Sequence, residues 1–172
     1  MITFRNIIHE LSNIAFQNYQ LHSFHSGLLD EVDIGKLETG SYPILYAEPG
    51  NAVINTGVMT YSFTLYILDQ INEAEESIAE LHANTSSDVK ERVGRVDILS
   101  ENLQILNDVI SQFKQNLSSR SYVNDEIVLN LPITAEPFTA RFNNLLTGWS
   151  ASIELQVNNG NNICIAPFNN PS

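Results

Sequence analysis

The hydrophobic period of this chain switches between helical and extended spacing, and the switches mark its elements. From Phe4 to Phe16, the apolar residues Phe4, Ile7, Ile8, Leu11, Ile14 and Ala15 recur at steps of three and four, which gathers them on one face of an α-helix. Thr3 stands where an N-cap is needed, with a hydroxyl able to accept from a first-turn N–H. The stretch from Asn18 to Gly40 is mixed, with an acidic cluster at Asp30, Glu31 and Asp33, and reads as a loop with room for one short helix. Tyr42 to Ala47 is a short apolar run, and Pro49-Gly50 after it is a turn pair that should end the strand.

Between Val58 and Leu68 the period becomes two. Met59, Tyr61, Phe63, Leu65 and Ile67 alternate with Thr60, Ser62, Thr64 and Tyr66, so one strand face is expected to be buried and the other half polar. Residues 70–87 include Glu73, Glu75, Glu76 and Glu80 and few large apolar side chains. This segment either prolongs the strand as a projecting hairpin arm or forms a helical turn, and it is expected to pack poorly in an isolated subunit. A long helix is expected from about Asp88 to Leu117. Its stripe is Val89, Val93, Val96, Leu99, Leu103, Leu106, Ile110, Phe113 and Leu117. Ile98, Ile105 and Val109 widen that stripe beyond a two-stranded seam, which suits packing on a sheet or on a neighbouring subunit.

The C-terminal third returns to alternation. Ile127, Leu129 and Leu131 alternate with Glu126, Val128 and Asn130, and Phe138, Ala140 and Phe142 with Thr139, Arg141 and Asn143. A longer strand follows Gly148, with Trp149, Ala151, Ile153, Leu155 and Val157 on one face and Ser150, Ser152, Glu154, Gln156 and Asn158 on the other. Asn158 to Asn162 is turn chemistry, after which Ile163 to Ala166 can close a hairpin. The pattern therefore predicts one α+β domain over residues 1–172, an antiparallel sheet of four or more strands packed against two amphipathic helices. The shared two-residue period further places Val58–Leu68 and Trp149–Val157 in one sheet, with Tyr61, Phe63, Ile153 and Leu155 toward the helices.

Composition narrows the function classes. Hydrophobic residues make up 43% of the chain and charged residues 16%, which is too apolar for disorder. The net charge of −12, from 8 basic and 20 acidic side chains, argues against a surface that grips phosphates. The N-terminal stretch is broken by Arg5, Asn6, His9 and Glu10 and lacks the layout of a signal peptide, so neither a membrane span nor export is expected. Cys164 is the one cysteine and reads as a small buried hydrophobe.

Candidate chemistry is sparse. His22 and His25 are three apart and could share a helical face, but with Asp30 or Glu31 they match no known ligand spacing. Glu73, Glu75, Glu76 and Glu80 read as a solvated acidic loop rather than a general acid/base pair. Gly35, Gly40, Gly50 and Gly57 are too scattered for a phosphate loop, and no elbow marks a nucleophile. Trp149 reads as a core aromatic, with an interface anchor as the alternative. The sequence thus assigns no catalytic residue, no metal ligand and no cofactor.

The order of segments resembles the small tail-completion, tail-terminator or neck proteins of tailed phages that infect Bacteroidetes and related marine hosts. The matching pieces are the N-terminal amphipathic helix, "YPILYAEPG" at Tyr42 to Gly50, and "MTYSFTLYILDQ" at Met59 to Gln70. To these are added "VDILSENLQILNDVISQF" at Val96 to Phe113 and "GWSASIELQVNNGNNICIAP" at Gly148 to Pro167. The resemblance implies a structural virion protein that joins head and tail components, assembled in the bacterial host cytoplasm. It implies a ring of copies, hexamer or dodecamer, touching other phage neck and tail proteins, with DNA passing nearby without specific binding and no membrane involved. It carries over no catalytic residue. Copies are expected to meet through an end of the long helix and a sheet edge, burying at least about 1,000 Å² per contact.

Two rival readings come from other classes. A non-viral α+β protein-binding or assembly domain would be favoured by a monomer at every concentration. An enzyme with an unrecognised site would be favoured by a deep pocket holding two titratable groups with opposed pKa shifts.

Overall fold

A computed structural model describes residues 3–28, 42–70, 95–119, 127–141 and 146–158. The arm expected beyond Gln70, the start of the long helix at Asp88, the acidic cluster at Asp30 to Asp33, Cys164 and the Ile163–Ala166 strand lie outside the described residues. Helix α1 spans Phe4–Gln17 and α2 spans Arg95–Ser119. The strands are β1 Ser23–Ser26, β2 Ile44–Asn55, β3 Val58–Gln70, β4 Ile127–Leu129, β5 Ala135–Arg141 and β6 Leu146–Asn158.

Helix α1 starts as its sequence dictates. The Asn6 N–H donates to the Thr3 hydroxyl, and the Asn6 side chain accepts from the Thr3 N–H, a reciprocal cap that satisfies two donors the helix cannot. Ile7, Leu11, Ile14 and Ala15 are buried, and the helix ends where the Asn18 N–H returns to the carbonyls of Ile14 and Ala15.

One sheet holds every strand of the described residues in the order β1-β2-β3-β6-β4, with β5 also on β6. β1 and β2 are parallel, and residues 27–43 supply the chain length that a parallel crossover needs. All other pairs are antiparallel. The β3–β6 ladder runs from Val58↔Asn158 to Gln70↔Leu146 with no register shift, and it sets Tyr61 opposite Leu155 and Phe63 opposite Ile153, as the matching periods predict. β4 and β5 share the outer edge of β6, one beside Leu155 to Val157 and the other beside Leu146 to Ala151. Pro132, which has no N–H to give a ladder, sits between them.

Both helices cover one face. Leu45, Ala47, Phe63, Leu65, Ile67, Ala151, Ile153, Leu155 and Val157 meet the buried residues of α1 and of α2, among them Ile105, Leu106, Val109 and Phe113. Phe63 and Phe113 pack edge to face with centroids 6.4 Å apart. A second, smaller cluster of Ile44, Tyr46, Tyr66 and Leu68, joined by Tyr42 and Phe138, lies on the opposite face at one end of the sheet.

Several expectations are corrected. Pro49-Gly50 does not end β2; the register shifts between Pro49 and Ala52, and the strand continues to Asn55 before a Thr56-Gly57 turn into β3. A bulge absorbs the pair, and a Cβ at Gly50 would lie 2.8 Å from the Ser62 carbonyl oxygen. The expected loop after Asn18 contains the edge strand β1, and the part of it with room for a short helix, residues 29–40, lies outside the described residues. On α2 the buried positions are Asn102, Ile105, Leu106, Val109, Phe113 and Asn116, whereas Leu103 is exposed. Leu131, expected in line with Ile127 and Leu129, is also exposed.

Candidate functional site

Polar groups inside the fold are the first place to look for chemistry. Near the end of β3, Asp69 stands with His22, Tyr42 and Glu101 around it. Burial pushes the Asp69 carboxyl above its ordinary value, and Glu101 adds to this; the Gln70 N–H, which donates to Asp69 Oδ1 at 2.7 Å, and His22 pull the other way. The Tyr42 phenol is also raised, by burial first and then by the Asp69 carboxylate. Both shifts run upward. The pair therefore lacks the division into one easily and one reluctantly ionised group that acid/base catalysis exploits.

A second polar group joins the helices. Asn116 Nδ2 donates to Glu10 Oε1 at 2.6 Å, and Gln112 Nε2 donates to Asn116 Oδ1 at 2.8 Å. This line ties α1 to α2. Asn102 is wholly buried with neither amide atom hydrogen-bonded among the described residues. Trp149, half-buried, donates its Nε1–H to the Leu99 carbonyl at 2.7 Å, so it pins α2 to β6, the structural role expected of it.

The histidines do not converge. His22 Nδ1 donates to the Tyr42 carbonyl, and His25 pairs with Tyr46 across β1 and β2. His22 precedes β1 and His25 lies within it, so the two share no helical face. Among the described residues no three metal-ligating side chains come together. On the sheet face away from the helices, a polar depression of about 300 Å³ is lined by Asn130, Thr134, Glu136, Ser150, Ser152 and Glu154, with Pro132 at its rim. Asn130 Nδ2 donates to Glu154 Oε2 at 3.1 Å across it.

The surface carries the clearer signal. Ile54 is 72% exposed at the β2–β3 hairpin, with Val53 and Val58 beside it, and Phe16 and Tyr19 are 94% and 91% exposed after the last buried turn of α1. Val128 and Leu131 add apolar surface along the β4 edge. Residues of this kind contact other molecules more often than they perform chemistry. Sequence reasoning placed no functional residue here, although the long uncharged run through the hairpin was available to it. Among the described residues no helix is long and apolar enough to cross a membrane. No protein-family model matches the chain, and no curated protein matches it either.

Proposed function

We propose that this chain is a structural subunit of a tailed-phage particle, forming a ring of copies at the neck or tail end around the DNA channel. The observation that carries the reading is the exposed apolar hairpin end, with Val53, Ile54 and Val58 outside the core of an otherwise well-filled sheet. A subunit that works alone gains nothing from that surface, and one that assembles buries it. The strong acidity fits a wall beside DNA, since a net charge of −12 per copy repels phosphates and keeps a duplex from adhering. The order of segments from the Tyr42 strand to the Gly148–Trp149 strand supports the same family of assemblies.

Two measurements on the particle whose genome encodes the chain test this. Mass spectrometry of purified particles is expected to find the protein, and an electron-microscopy map is expected to place its six-stranded sheet and two helices in a ring at the neck or tail end. Particles without the chain, or a map in which its copies never touch, would overturn the reading.

A further inference from the structure

Two exposed apolar patches of the described chain lie at opposite ends of α1. Phe4, at the start of this helix, holds its ring 6.0 Å from that of Tyr61, and Tyr61 pairs with Ala52 at the base of the hairpin end that carries Val53, Ile54 and Val58. Phe16 comes about three turns later, roughly 18 Å along the axis, and Tyr19 follows it. The two patches of one chain therefore cannot cover each other.

Charge decides what can. In a chain of net charge −12, no Asp, Glu, Lys or Arg occurs between Glu10 and Asp30, and none occurs between Glu48 and Asp69. Both patches fall inside these uncharged stretches. A basic partner would find no carboxylate on either stretch, whereas a second copy of an acidic chain can approach these two places with the least repulsion. Shape agrees with charge. Beside Tyr19 a cavity of about 310 Å³ opens between the end of α1 and α2, lined by Ile14, Gln17, Gln20 and Gln112, with Asp108 of α2 the one carboxylate among its lining residues, where it accepts from the Gln104 amide. The amide side chains of Gln17 and Gln20 can pair with strand backbone, and the outer edge of β2 from Gly50 to Asn55 has no strand partner among the described residues.

We infer that copies of this chain bind head to tail, with the β2–β3 hairpin end of one seated on Phe16, Tyr19 and the adjoining cavity of the next. Such a contact uses two different surfaces, so it propagates from copy to copy and closes into a ring when the rotation permits. The inference deepens the ring reading and rests on it for closure.

Light scattering and native mass measurement on two full-length variants test it. Ile54→Asp spoils the hairpin end, and Phe16→Asp with Tyr19→Asp spoils the receiving patch; each leaves the other surface intact. Each variant alone is expected to lose the wild-type oligomer and run as a monomer. An equimolar mixture is expected to give a 1:1 dimer and nothing larger, because one intact hairpin end then faces one intact patch. Circular dichroism confirms that the variants fold, and Ile54→Thr and Phe16→Ser replace any that does not. Wild-type oligomers that persist in both variants would overturn the contact and leave the ring reading standing. A mixture that stays monomeric would overturn it as well, and a wild-type chain monomeric at all concentrations would overturn both.

Discussion

At Gly148, β6 runs so close to β3 that an added Cβ would sit 1.8 Å from the Ile67 carbonyl oxygen and 3.2 Å from the Phe138 ring, at a φ of +154. A side chain there must push the central ladder apart. Gly148→Ala is expected to cost about 1–3 kcal/mol and to lower the melting temperature by about 2–12 °C, measurable by circular dichroism. Asp69 makes the opposite case, because its carboxyl is raised by burial and by Glu101. A group with a raised folded pKa binds its proton more tightly in the folded state, so stability falls as pH rises from the unfolded value to the folded one and stays low above it. Asp69→Asn keeps an oxygen for the Gln70 N–H and removes that penalty. It is expected to raise the melting temperature at pH 7, with the gain shrinking as pH falls through the raised value; a loss at pH 7 would contradict the assignment.

At the scale of elements, the α2 stripe shows what was legible in the sequence and what was not. The strands β3 and β6, their pairing and their inward faces followed from alternation alone, because a two-residue period leaves one choice once a face is apolar. Helix α2 is less constrained, since a wide stripe can be centred on several lines. Reading only apolar residues put Leu103 in the core, but the real face includes Asn102 and Asn116, which a hydrophobic pattern counts as outside. Asn116 is buried because Glu10 of α1 receives its hydrogen bond, a partner no local window contains. The bulge at Pro49–Ala52 was hidden likewise, since Pro-Gly signals a turn and a bulge equally well. Leu106 is 1% exposed and Leu103 39%, which separates two substitutions of identical chemistry. Leu106→Ala is expected to cost about 2–5 kcal/mol and Leu103→Ala to stay within about 0.5 kcal/mol by urea unfolding; equal losses would restore the sequence-derived stripe.

Over the whole molecule, charge and assembly oppose each other. Treating two copies as touching spheres of the expected size, each carrying −12, the unscreened repulsion in water is on the order of 15 kcal/mol. That is comparable to the entire free energy of a tight protein complex. Contacts limited to the uncharged hairpin end and the uncharged end of α1 lower the local part of this cost but not the long-range part. Salt does lower it, because the screening length falls from about 30 Å at 0.01 M to about 10 Å at 0.1 M, shorter than the separation of the two subunit centres. Assembly is therefore expected to tighten by roughly two to three orders of magnitude in Kd between these ionic strengths, read by sedimentation equilibrium. An interface built on ion pairs would respond in the other direction, weakening as salt rises. If the oligomer dissociates on adding salt, the contacts lie on the charged surface, and the uncharged stretches from Leu11 to Leu29 and Pro49 to Leu68 are not where copies meet.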